Sequence, residues 1–501
     1  MKTPLIILLT LVLNAAAQEP PGEFRSLYGP HHELSPHFKS HQRPGPRKNV
    51  DSVRRWNEIA IKASALDHTP VAVGENRFFG EQVGPCRTSY ALAIVHIAMF
   101  DALNAVAQKY ESYTGVQAQR GFISLEAAVS QSAHDALVVL YPSQAATFGA
   151  LLFEDLTKVK NKEARANGIA LGRNAAAAIL LLRTNDGSDQ AESFLNIDWT
   201  TSDLEGHWRQ DPIGLSPIAL GARWAEVAPF SILSSDQFRI APPPLMTSSE
   251  YTIAFNEAKN FGGDGITTPT IRDANQTRAG LFWCYDGTPG LGTPPRLYNQ
   301  IAVQIADQMK SGDLELARLL ALVNVAMADA GMAIWESKYH YDFWRPVTAI
   351  RESDPGTGPL GAGDGNPNTQ GDPTFSPLGA PASNLTGPNF TPPFPAYPSG
   401  HAGFGAAMFQ ILRRFYGTDR IAFTVVSDEL NGVTQGNNGM VRPLAPRTFA
   451  SLSQAEEENG QSRIYLGIHW SFDKTGGIAQ GRQVANYVFD HEFRRLKDKR
   501  F

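Results

Sequence analysis

Cysteine is almost absent: Cys86 and Cys284 are the only two in 501 residues. No disulfide framework can hold such a chain, so its fold must rest on a packed core. One bridge between the two and a pair of buried free thiols are equally compatible with the sequence, because a bridge needs a Cα separation that sequence does not give. An excess of one charge is lacking too. Lys and Arg number 44 against 49 Asp and Glu, a formal net charge of −5, without long single-sign blocks. That excludes the basic face a nucleic-acid partner requires. Beyond the N-terminus no segment reads as a spanning helix of ~20 apolar residues, so no transmembrane segment is expected in the mature chain. The zinc-protease signature also fails: in "HHELSP" Pro36 stands where the second His belongs.

What is present begins with a leader. Lys2 gives the positive end, Leu5 to Leu13 the apolar middle and Ala15-Ala16-Ala17 a small-residue cleavage site, the pattern of a secretory signal peptide over 1–17. The mature protein is expected to start near Gln18 and to be secreted or periplasmic. Residues 18–50 are rich in Pro and His (His31, His32, His37, His41) and show no periodicity. They read as an irregular arm on the surface rather than as a metal site.

From Asp51 onward apolar residues recur three and four apart and the segments end at Pro, Gly or Asn, which predicts an all-α protein. The length suits two or three domains. The expected division is an N-terminal helical bundle over 51–250 and a C-terminal one over 251–501. "VHIAMFDALNAV" (95–106) echoes "VNVAMADAGMAI" (323–334). Asp101 and Asp329 sit among apolar neighbours there, so each needs a buried partner or an inward role. Residues 353–398 form a loop long enough to imply a function. Asn275, Asn384 and Asn389 begin glycosylation sequons.

Three segments carry chemistry. In "KYHYDFWRP" Lys338 and Arg345 are seven apart, so on one helix they share a face, with Pro346 ending it. In "YPSGHAGFGAAMFQILRRFYG" Ser399 and Gly400 precede an apolar-periodic helix, whose free amides and Ser hydroxyl make an anion site. His401 sits at the same end, placed to exchange protons. Ser399 does not fit a nucleophile elbow, since Tyr397 stands where that motif needs Gly. "SRIYLGIHWSFD" adds Arg463 and, four apart, His469 and Asp473, which share a face if helical, so that Asp473 orients the imidazole. Arg463 and His469 would not share a face unless Gly467 breaks the helix. Two Arg, one Lys, an amide and a hydroxyl amount to a cage for a multiply charged oxyanion.

These segments, in this order and spacing, resemble the signature of vanadium-dependent haloperoxidases and of the wider type 2 phosphatidic-acid-phosphatase superfamily. From about 280 to 475 the chain is similar to the fungal chloroperoxidases of that group, through "FWCYDGTPGLGTPPRLYNQ", "FWRPVTAIR", "PPFPAYPSGHAGFGAAMFQ" and "SRIYLGIHW". The resemblance implies two four-helix bundles with the active site in the second, and vanadate (V5+) as cofactor without haem. His469 would bind vanadium, Lys338, Arg345, Ser399, Gly400 and Arg463 would hold the vanadate oxygens, and His401 would be the acid/base. Asp286 would pair with Arg463, while Trp335 and Phe394 would line the halide side. The implied reaction oxidises bromide, and chloride as Phe394 suggests, with hydrogen peroxide to hypohalous acid, which halogenates a small organic acceptor. Two rivals share the cage. In an acid phosphatase His469 would be a phosphohistidine nucleophile and His401 would protonate the leaving group. An exported oxyanion-binding protein would need the cations but not two placed imidazoles. The aromatic pair favours the haloperoxidase. The oligomeric state is not indicated.

Overall fold

Fourteen helices and three two-stranded scraps of sheet build the described chain. The structure is a computed structural model and describes residues 24–38, 47, 50–72 and 74–496. The leader expected at 1–17 and His41 lie outside these. In chain order the helices are α1 (Phe24–Tyr28), α2 (Ser52–Asp67), α3 (Gly84–Ala107), α4 (Leu125–Leu140), α5 (Ala145–Lys158), α6 (Lys162–Leu182) and α7 (Ser249–Gly262). They continue with α8 (Ala274–Phe282), α9 (Pro294–Gln308), α10 (Asp313–Tyr341), α11 (Pro346–Glu352), α12 (Gly400–Tyr416), α13 (Leu452–Tyr465) and α14 (Ser471–His491). The strands pair antiparallel as β1 (Glu33–Leu34) with β4 (Leu385–Thr386), β2 (Ser193–Phe194) with β3 (Ile218–Ala219), and β5 (Phe423–Val425) with β6 (Arg447–Phe449).

The ends of these helices are written locally. Asp51, Ser124, Ser248 and Ser451 cap α2, α4, α7 and α13 with their side chains, and Asp273 with Gln276 forms a capping box on α8. The two echoed segments fall in α3 and α10, which pack against each other. Their aspartates play matching parts. Asp101 accepts the amides of Tyr113 and Thr114, and Asp329 accepts those of Phe230, Ser231 and Ile232. Each buried carboxylate thus gathers the backbone donors of a crossing loop, which supplies the partner its burial demands.

Apolar side chains from α2, α3 and α4 join those of α9, α10, α12 and α14 in one cluster, so the core runs across residue 250 without a gap. Contrary to the expectation above, α3 and α10 are long and apolar enough to cross a membrane by length and composition alone. Here 89% and 94% of those windows are buried within the protein, because Ala-rich central helices are apolar on every side. Cys86 and Cys284 are both buried and unbridged, and the Cys284 thiol donates to the Gly280 carbonyl.

The expectation of a surface arm at 18–50 is corrected where that arm is described. Tyr28 is 5% exposed and His32 fully buried. Leu27 and Tyr28 line the pocket described below, and β1 ties the arm to the long 353–398 loop. Aromatic rings, not periodicity, hold it down: Tyr28 stacks on Phe24 and meets Phe390 edge-on.

Candidate active site

Helices α12 and α14 approach so closely that only glycine fits between them. A Cβ on Gly477 would lie 2.5 Å from the Ser399 carbonyl oxygen, and one on Gly481 would lie 2.2 Å from that of Gly403. This contact brings the start of α12 beside the start of α14. Ser399 caps α12 and donates its amide to the Asp473 carbonyl. Gly400 and His401 form the first turn of that helix.

The α10 geometry differs from the expected shared helix face. The helix ends at Tyr341 with Asp342 in the left-handed region. Arg345 is the extended N-cap residue of α11, and Pro346 opens that helix rather than ending α10. Lys338 and Arg345 still meet, through the carbonyls of the long loop. Lys338 Nζ donates to Pro395 O at 2.7 Å and Ala396 O at 2.9 Å. Arg345 Nε donates to Phe394 O at 2.9 Å and Nη1 to Ile468 O at 2.8 Å. The carbonyls of the long loop therefore aim two cations, which gives that loop a structural role.

The last segment is likewise broken. Gly467 has φ +70°, which ends α13 and turns His469 back toward Arg345. His469 lies before the N-cap of α14 rather than on its face, yet Asp473, at the third helical position, reaches it: Nδ1 to Oδ2 is 2.7 Å. That bond places the proton on Nδ1 and leaves a lone pair on Nε2, 2.9 Å from Arg345 Nη1. Arg463 Nη2 meets both Asp286 oxygens at 2.9 and 3.0 Å. His401 Nε2 donates to the Cys284 carbonyl and lies 3.8 Å from Asp286. Trp335 and Phe394 lie 4.9 Å apart with their rings tilted by 55°, and Lys338 and Arg345 sit over the Phe394 ring at 5.1 and 4.9 Å.

Every sequence-selected residue thus converges on one place: Lys338, Arg345, Ser399, Gly400, His401, Arg463, His469, Asp286, Trp335 and Phe394. One pocket is lined by Asp286, Trp335, Phe394, His401, Arg463 and His469. Nothing in the sequence marks Tyr28, which lines the same pocket; a single aromatic in an aperiodic stretch carries no signal. Asn459 and Tyr298, which hold the His401 carbonyl, are equally silent.

The electrostatics of this place favour an anion. Lys338, Arg345 and Arg463 are all buried, while Asp286 and Asp473 are the nearby carboxylates. Burial, and then the neighbouring Arg345, drive the Lys338 ammonium well below its ordinary value. Burial also lowers Arg345 to about 9, with Arg463 adding to the effect. His469 is pushed well below the usual imidazole range by burial and then by Arg345 and Lys338, and His401 falls to about 3 through burial and Arg463. Buried cations that repel each other are relieved by an anion between them. Arg463 Nε, moreover, has no hydrogen-bond partner among the described residues, and an oxyanion would satisfy it. Three cations, a helix N-terminus, a serine hydroxyl and an imidazole lone pair fit a tetrahedral metal oxyanion bound through nitrogen.

Comparison with known proteins places both fold and sequence. A bacterial vanadium-dependent iodoperoxidase superposes with a TM-score of 0.68 at 21% identity, covering 91% of this chain and 100% of that one. An apo-type bacterial vanadium-dependent chloroperoxidase superposes with a TM-score of 0.60 at 15% identity, covering 82% of this chain and 94% of that one. The all-helical fold is the one these vanadium-dependent haloperoxidases share. In sequence, residues 318–498 match the family described as the VCPO second helical-bundle domain. The vanadium chloroperoxidase of Curvularia inaequalis is 30% identical over 508 residues, 85% of this chain and 79% of its own. The chain belongs to the vanadium haloperoxidase family and is an enzyme of that kind.

Proposed function

We propose that this enzyme binds vanadate and uses hydrogen peroxide to oxidise halide to hypohalous acid, with bromide and chloride as the candidate halides. The observation that carries the reading is the neutral His469 imidazole, whose Nε2 lone pair faces Arg345 where three buried cations meet. His469 would bind the metal. Arg345, Arg463, Lys338 and the Gly400 amide would neutralise its oxygens. The Ser399 hydroxyl, whose oxygen already accepts the Ala402 amide, would donate its proton to another. Bound vanadate supplies a Lewis-acidic, fully oxidised centre that activates peroxide toward a nucleophile.

The remaining work belongs to the chain. His401 donates from Nε2 to the Cys284 carbonyl, which leaves Nδ1 as the basic nitrogen for the peroxide proton. Burial and then Arg463 lower the His401 pKa, and an anion in the cage offsets the Arg463 part and so raises it. Trp335 and Phe394 give the halide an aromatic wall beside Lys338 and keep bulk water off the reacting atoms. A small organic acceptor is halogenated by the released oxidant. The leader pattern at the N-terminus supports secretion or a periplasmic location. The C-terminal half, 251–501, supplies every residue assigned here.

The test adds vanadate to purified apoprotein and follows bromination and chlorination of monochlorodimedone with peroxide, beside hydrolysis of a phosphate ester. Vanadate-dependent halogenation is expected. Ester hydrolysis with no vanadate-dependent halogenation would replace this reading with the phosphatase that the same cage allows.

A further inference from the structure

One turn, residues 284–287, touches both halves of the proposed machinery. The Cys284 carbonyl accepts from His401 Nε2, and the Asp286 carboxylate holds Arg463. Its backbone is not relaxed. Tyr285 sits at φ +49° and Gly287 at φ +86°, and a non-glycine residue in the left-handed region persists only when its surroundings enforce it. On one side Glu429 receives the Tyr285 amide at 3.3 Å. On the other, the Gly287 carbonyl accepts the hydroxyl of Tyr28, 259 residues earlier in the chain. A Cβ on Gly287 would lie 2.7 Å from that hydroxyl, so the contact needs glycine.

Tyr28 is itself anchored. Its ring stacks on Phe24 at 4.6 Å and meets Phe390 edge-on at 5.8 Å. The Leu27 carbonyl accepts the Ser216 hydroxyl at 2.6 Å, and β1 fixes the chain beyond it to β4. The hydroxyl is therefore presented by a strapped-down segment, not by a free terminus.

We infer that Tyr28 is a positioning residue for the active site: its hydroxyl clamps the 284–287 turn and thereby sets Arg463 and His401 for the bound oxyanion. This rests on the reading that the cage holds vanadate. Tyr28→Phe removes the hydroxyl and keeps the stacked ring. It should weaken vanadate binding by about 3- to 10-fold, less than loss of a group touching the ligand, and should shift the ⁵¹V resonance of the bound form. Tyr28→Leu, which also removes the ring, should weaken binding at least as much. Glu33→Gln, which breaks only the exposed Arg25–Glu33 pair of the same arm, should leave affinity and resonance unchanged. Binding is measured by calorimetry well below each variant's melting temperature. Unchanged affinity and resonance in either folded Tyr28 variant, even with a lowered melting temperature, overturns the inference and leaves Tyr28 merely structural. Failure of the wild type to bind vanadate overturns the cage reading instead.

Discussion

Replacing Asp473 with alanine tests how the imidazole nitrogen proposed to bind the metal is prepared. Oδ2 of Asp473 takes two N–H donors, His469 Nδ1 at 2.7 Å and the Trp470 amide at 3.0 Å. The first bond fixes both the orientation of the imidazole and the nitrogen that carries its proton. Without it the ring is free to turn and to carry hydrogen on Nε2, where the lone pair is needed. A hydrogen bond to a charged group contributes ~1.5–3 kcal/mol, so vanadate should bind roughly 10- to 150-fold more weakly. Loss of the second bond removes a cap from α14 and costs about 1 kcal/mol of stability, which a melting curve reports separately. Burial pushes Asp473 up to about 7, and this gives the effect a pH signature. Below that value the wild-type carboxylate takes up a proton and loses its charge, so its advantage over Asp473→Asn should shrink as pH falls through about 7. The assay is calorimetric titration of apoprotein with vanadate in phosphate-free buffer at several pH values. A folded Asp473→Ala protein binding within twofold of wild type would refute the tautomer argument.

Three further outcomes follow from particular contacts. His401→Ala should keep vanadate affinity within a few-fold while turnover falls by 10²–10⁴; a parallel loss of binding would make His401 part of the cage. His96, buried between the Leu92 carbonyl and Asn57, is lowered to about 4 by burial. Its folded pKa lies below the unfolded one, so the stability it contributes is present above about pH 6.5 and is lost as pH falls through about 4. Between pH 7 and 5 the unfolding free energy from denaturant titration should therefore fall by about 2 kcal/mol, a loss that His96→Gln does not share. Cys86 and Cys284, both buried and free, should react with a thiol reagent only after denaturation, and a reductant should leave the melting temperature unchanged; rapid labelling of the native protein would contradict their burial.

The cage was legible because each piece is local. Pro-Ser-Gly-His states a cap, an amide and an imidazole in four consecutive residues, and the Lys–Arg and Arg–His spacings survive whatever backbone joins them. The backbone itself was less legible. Arg345 and Lys338 looked like helix-face neighbours, but Asp342 takes a left-handed turn after Tyr341, and loop carbonyls 49 to 58 residues away supply the alignment. The helices were visible by period, whereas the core they share was not, since packing of α3 on α10 is a long-range fact that no local pattern encodes. The same holds for the arm. Phe24, Tyr28 and His32 acquire meaning only against Phe390 and Pro388, which the chain reaches more than 350 residues later. Two of the three sequon side chains are engaged within the fold, as buried Asn384 and half-buried Asn389 donate to the Pro289 and Leu378 carbonyls; Asn275 is exposed.

The α12–α14 glycine contact carries a temporal consequence. The starts of α12 and α14 come together only after α14 has been made, since Gly477 and Gly481 seat that helix on α12. A nascent chain halted before these glycines already carries Lys338, Arg345, Arg463 and His469 but lacks the helix contact that seats them. Synthesis order thus acts as a safety catch on the proposed chemistry, since the site cannot close until α14 has emerged.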